Sequence, residues 1–194
     1  MRLPATLKRI GHSTFCRCGN LRCISLPQGL ENIGRRCFSG TSIEEIVLPN
    51  SVTTICDEAF SECRQLRAVS LQAESRLQKI GRACFCRSGI REFLAPQNLT
   101  EIGQDAFAHC SVLKLVALGR GQRKLGDVFR DSGLEELRLP RTLKEVNQLA
   151  FADCSCLRLV CAEDDCGICF SETGIPAFAR VGPPPETAVG GARV

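Results

Sequence analysis

Tryptophan and tyrosine are absent from these 194 residues, histidine occurs only twice and methionine once. Without Trp and Tyr, two of the side chains that most often anchor tight interfaces are missing, and ten Phe supply all of the aromatic content. No apolar run approaches the roughly 18 residues of a spanning helix, so membrane insertion is not expected. No block of one charge exists either. Twenty-five Lys and Arg are interleaved with 21 Asp and Glu for a net charge of +4, a poor footing for nucleic acid or an anionic membrane surface. The opening MRLPATLKRIG lacks the apolar stretch of a secretory leader, which makes a cytoplasmic, reducing compartment the default expectation.

What is present is a period. Phe15, Phe38, Phe60, Phe85, Phe107, Phe129 and Phe151 follow one another at intervals of 23, 22, 25, 22, 22 and 22 residues. A unit that short cannot bury its own apolar face, so it has to stack on neighbours of the same kind. Seven units begin at Leu3, Leu26, Leu48, Leu71, Ala95, Leu118 and Leu139, sharing the frame LPxxLxxIGxxAFxxCxxLxxVx. Where one unit passes into the next, the pattern h-x-x-h-x-h (Ile43, Ile46, Leu48; Leu66, Val69, Leu71) ends in the alternation of a half-buried strand. The middle, as in IGQDAFAHC, spaces its apolar residues three to five apart and predicts a turn of helix or 3₁₀ helix. The glycines of the Ile-Gly step (Gly11, Gly34, Gly81, Gly103 and Gly126) are expected in a conformation other residues avoid. The array starting at Leu3 leaves no room for a polar capping unit, so the expectation is a fragment or an end packed on a partner.

The residues Leu26-Pro27, Ile33-Gly34 and Phe38, and likewise Leu48-Pro49, Ala59-Phe60, Cys63 and Leu66, carry a frame that resembles the leucine-rich repeats of the BspA-like family. The resemblance covers residues 3 to about 161 well. It implies an α/β leucine-rich-repeat solenoid: a right-handed β-α superhelix with a curved parallel sheet on the concave face and short helical or 3₁₀ turns on the convex face. It also implies protein binding and, for some members, adhesion at a cell surface.

A second period of about 45 residues lies under the first. In odd units the residue three after Phe is Cys (Cys18, Cys63, Cys110, Cys154), and in even units it is Thr41, Ser88 or Ser132. Phe170, followed by Thr173 and Ile175, continues the even pattern. A degenerate eighth repeat is therefore expected over 162–180, making 1–180 one array. The Pro- and Gly-rich residues 181–194 are expected to be a disordered tail.

Fourteen cysteines invite a disulfide framework, yet Cys18, Cys63, Cys110 and Cys154 would sit about 10 Å apart, two strand spacings, beyond the reach of a disulfide. Small buried thiols are expected there. Cys154, Cys156, Cys161, Cys166 and Cys169 crowd into 16 residues, and Cys166-x-x-Cys169 has the spacing of a zinc knuckle. Reduced thiols are the leading expectation, ahead of a stapling disulfide or zinc. His109-Cys110 near Asp105 has the residue types of a nucleophile and base, but Cys110 is a repeat-core position. The basic run Gly119-Arg120-Gly121-Gln122-Arg123-Lys124 lacks the context of a phosphate loop and predicts a solvated loop.

The outward strand positions carry the binding expectation. Glu45, Glu92 and Glu136 recur on even strands, with Arg22, Arg67, Lys114 and Arg158 beside the odd ones. Charge pairing between strands and an amphipathic surface for a protein ligand are both compatible with that rhythm. The expected function is a non-catalytic, cofactor-free protein-protein interaction module binding a protein ligand through the concave face through those seven residues. The alternatives are a scaffold segment of a larger repeat protein or an adhesion-type repeat protein.

Overall fold

The computed structural model describes residues 3–162 and 180–182. The first coil contributes only a two-residue strand, each of the next six contributes one longer strand and one two-residue strand, and like strands stack in parallel along the array. The short strands are β1 (Arg9–Ile10), β2 (Asn32–Ile33), β4 (Thr54–Ile55), β6 (Lys79–Ile80), β8 (Glu101–Ile102), β10 (Lys124–Leu125) and β12 (Glu145–Val146). The longer ones are β3 (Glu45–Leu48), β5 (Ala68–Leu71), β7 (Glu92–Leu94), β9 (Leu115–Ala117), β11 (Glu136–Leu139), β13 (Leu159–Ala162) and β14 (Arg180–Gly182). Alternation sets the longer strands. In β3 the burial runs exposed, buried, exposed, buried, with Ile46 and Leu48 turned inward. On the other wall Ile10, Ile33, Ile55, Ile80 and Ile102 stand in register coil upon coil.

No helix is found among the described residues, which corrects the expectation of helical or 3₁₀ turns around Phe. An α-helix spends every N–H on its own chain four residues back. Here alternate N–H groups are spent on the next coil. The amides of Arg36, Phe38 and Gly40 donate to Asp57, Ala59 and Ser61 carbonyls at 3.0, 2.8 and 2.9 Å, while those of Cys37, Ser39 and Thr41 turn back to Gly34, Arg36 and Phe38. Such a ladder needs left-handed residues at intervals, and the eleven non-glycine residues with positive φ among the described residues stand two before or two after a repeat Phe, from Ser13 to Asp153. The Ile-Gly glycines do not have positive φ, contrary to expectation. At Gly34, Gly81 and Gly103 the requirement is space: a Cβ on Gly81 would lie 2.4 Å from the Asp57 amide nitrogen.

The Phe rings form the interior column. Successive centroids from Phe15 to Phe151 are 5.3 to 6.2 Å apart and the rings nearly parallel, and Phe93 leans against Phe85 and Phe107 from the strand side. Beside the column the 45-residue period has a physical form. The Cys63, Cys110 and Cys154 thiols donate to the carbonyls of Phe38, Phe85 and Phe129 at 2.9–3.0 Å, and contact the hydroxyls of Thr41, Ser88 and Ser132. Cys18 departs from the buried-thiol expectation and is exposed.

The sheets are interrupted twice. The longer strands divide into β3-β5 and β14-β13-β11-β9-β7, and the short ones into β1-β2-β4-β6-β8 and β10-β12. The first break follows a two-residue insertion in unit four, where Leu71 and Leu77 stand six apart and Leu48 and Val52 four. At the second, the loop over 119–124 leaves Arg120, Arg123 and Lys124 exposed, in line with the expected solvated loop, while Gly119 and Gln122 are buried. A Cβ on Gly121 would lie 2.4 Å from the Leu99 carbonyl oxygen. β14 pairs with β13 through Gly182, so a strand occupies the start of the segment expected to be a disordered tail. The rest of the expected eighth repeat, with Cys166 and Cys169, lies outside the described residues. No helix of the described residues is long and apolar enough to cross a membrane.

Candidate functional site

On the longer-strand face, outward positions align in two rows. Glu45 pairs in register with Ala68, and Glu92, Leu115, Glu136 and Leu159 continue across the second sheet. Two residues further on lie Val47 and Ser70, then Leu94, Ala117, Arg138 and Cys161. Just before the strands, Arg22, Glu44, Arg67, Arg91, Lys114, Glu135 and Arg158 form a third column, each amide donating to the carbonyl before it. The seven predicted residues therefore share one face, as two adjacent columns.

Their charges are unequally matched. Glu135 receives both Lys114 (3.5 Å) and Arg158 (3.6 Å), and Glu136 is held by Arg138 on its own strand at 2.7 Å. Inter-strand pairing thus exists, but through Glu135 and not through the expected Glu136. Glu45, Glu92, Arg22, Arg67 and Arg91 make no ion pair among the described residues. Unmatched charge accordingly gathers in the first half of the array.

The break between β5 and β7 opens a cleft of about 430 Å³ there, lined by Arg67, Ser70, Leu71, Arg91, Glu92 and Leu94 among others. One hydrogen bond, Arg91 N–H to the Arg67 carbonyl at 3.3 Å, closes its near end. Leu94 is 59% exposed at its rim and Val47 57% exposed on β3. The seven-residue expectation missed Leu94, Val47 and Arg91. The signal for them was an apolar residue at an outward strand position, next to the one unit that breaks the Phe beat with a 25-residue interval.

The other candidates do not assemble. The His109 ring faces outward and its Nδ1 meets Asp131 at 2.8 Å, whereas the Cys110 sulfur is buried against the Phe85 carbonyl, and burial pushes that thiol up to about 11. The pair therefore cannot act on one substrate atom. Among the described residues no group of His, Cys, Asp and Glu is placed to hold a metal. The twelve described cysteines are unpaired thiols.

No curated protein matches the chain. A leucine-rich repeat protein of T. pallidum is similar in structure, with a TM-score of 0.63 and 26% identity over 81% of this chain and 77% of that one. The pneumococcal vaccine antigen PcpA shares the fold at a TM-score of 0.53 and 18% identity, over 94% of this chain and 65% of its own. The model of the BspA type leucine rich repeat region (6 copies) matches residues 1–114 and 33–158. Seven stacked Phe turns, the Leu-Pro and Ile-Gly steps and that match agree: the chain belongs to the BspA-type leucine-rich-repeat family.

Proposed function

We propose that this chain is a non-catalytic protein-interaction module that engages a protein ligand through its longer-strand face. The observation that carries this is the coincidence, on one face, of two strongly exposed aliphatic side chains, Val47 on β3 and Leu94 at the cleft, with the face's unmatched charges. Exposed apolar side chains set among polar groups mark an interaction surface, and the rest of the face is self-neutralised by Glu135 and Glu136.

The test is partner capture from native lysate with the wild-type chain, with Leu94→Asp and with Val47→Asp. Leu149→Asp serves as control, since Leu149 is equally exposed on a turn away from the face. The two strand-face changes reduce capture by at least about tenfold with unfolding midpoints unchanged. Equal capture by all four proteins overturns the proposal.

A further inference from the structure

We infer that the cleft between β5 and β7 is a binding site for a small organic monoacid, a carboxylate carrying an unbranched aliphatic tail of medium length. Neither the site nor its test depends on the protein partner proposed above.

The cleft is too narrow for a strand, yet it opens onto the edge of the core. β5 and β7 approach within 8 Å, less than the roughly 9.6 Å of two strand spacings that an inserted strand would need. What the lost pairing does uncover is apolar. Val69 and Leu71 stand in register with Ile46 and Leu48 of β3, at the inward positions of the pleat. Ile46 and Leu48 are buried there, whereas Val69 and Leu71 are only half-buried. Both line the cleft, and Leu94 stands exposed at its rim. Covering that floor with hydrocarbon removes apolar surface from water.

The near end of the cleft carries charge. Arg67 and Arg91 occupy adjacent places in one column, line the same cleft and are exposed. Neither has an ion pair among the described residues. Their planar guanidinium groups suit a carboxylate, which they hold through charged, forked hydrogen bonds. Leu71 lies four residues beyond Arg67 along β5, ~13 Å at the rise of a strand, so the tail that reaches it is longer than a few carbons. Glu92 lies in the same lining and repels a second carboxylate, which selects a monoacid over a diacid. A volume of about 430 Å³ with mainly apolar walls and a few charged groups is the usual build of a small-ligand site.

The probe is sodium octanoate, titrated into the isotope-labelled full chain and followed by NMR. Shifts centred on Val69, Leu71, Arg91 and Leu94 are expected to saturate with a Kd of about 1 mM or below. Three comparison ligands separate the parts of the argument: octanamide keeps the tail without the charge, acetate keeps the charge without the tail, and octanedioate adds a second carboxylate. Each binds at least about fivefold more weakly than octanoate, and Arg67→Gln combined with Arg91→Gln weakens octanoate at least about tenfold at an unchanged unfolding midpoint. Lys144→Gln, at an exposed cation outside the face, changes binding less than about twofold. An absence of saturable shifts, shifts centred elsewhere, equal affinity for any comparison ligand, or full binding by the double Arg variant overturns the inference. The titration contains no partner, so such a failure leaves the interaction face standing, and a failure of partner capture leaves the monoacid site standing.

Discussion

Gln122 takes the place that Leu30, Val52, Leu77, Leu99 and Leu143 hold in other coils, and like them it is buried. Both of its amide atoms lack a hydrogen-bond partner among the described residues. Burying an amide without compensation costs on the order of 1–3 kcal/mol in proteins. Gln122→Leu is therefore expected to raise stability by about that amount, read as a higher urea midpoint at unchanged slope. The thiols give a second residue-scale expectation. Burial pushes Cys37 up to about 12 and Cys110 to about 11, and raises Cys84 well above its ordinary value. Below about pH 8.5 these groups are protonated in both folded and unfolded chains and contribute no pH dependence. Above it the unfolded thiols ionise while the buried ones resist, so stability falls by about 1.4 kcal/mol per pH unit for each thiol until the folded values are reached. Urea unfolding at pH 8 and pH 10 measures the fall, and a flat profile contradicts it.

At the scale of the element, each coil is held by ladders on three sides: longer strand, short strand and Phe turn. The Phe turn departs most from expectation, because apolar spacing alone cannot distinguish a helix from a turn whose N–H groups alternate between its own chain and the next coil. The departure is testable at glycine. Gly81 has an ordinary backbone conformation but no room, so Gly81→Ala is expected to cost about 1–3 kcal/mol by overpacking. Ala83, two residues on, has φ of 49°, and the side chain is what strains it. Ala83→Gly is expected to be neutral or mildly stabilising, since relief of a left-handed Cβ contact offsets the added chain entropy. Thermal midpoints of the two variants should move in opposite directions, or only the first should move. Within the column, Phe85→Ala is expected to cost about 3–5 kcal/mol because Phe85 touches Phe60, Phe93 and Phe107. Phe15 has one stacked neighbour, so Phe15→Ala costs less.

For the whole molecule, stability is approximately the sum of coil terms and nearest-neighbour interfaces, so the two sheet interruptions are its weak seams. Thr100 and Gly103 donate to Gln78 and Ile80, and Lys144 and Asn147 to Arg123 and Leu125. The equivalent amides of Arg123 and Gly126 face the interrupted junction between β8 and β10. Hydrogen exchange is expected to be faster at Arg123 and Gly126 than at those four positions, and equal protection would show the seam to be closed. The other seam lies at the candidate site, where lost strand pairing becomes a cleft.

Much of this was legible in the residues. A Phe every 22 or 23 positions, with Leu-Pro and Ile-Gly at fixed offsets, determined a stacked repeat, because a unit of that length has no other way to bury its apolar face. The alternation of Cys with Ser or Thr likewise announced pairs of coils, which proved to be thiol-to-carbonyl bonds between them. Where Glu45, Glu92 and Glu136 would face was readable too, since strand alternation fixes a side. Tertiary structure alone decided which charges are cancelled. Glu135 finds cations because β9, β11 and β13 pair in register and Glu136 finds Arg138 two residues along its own strand, whereas Arg67 and Arg91 stand unmatched among the described residues. The insertion in unit four parts β5 from β7, and a local sequence pattern carries no measure of the distance between two strands 24 residues apart.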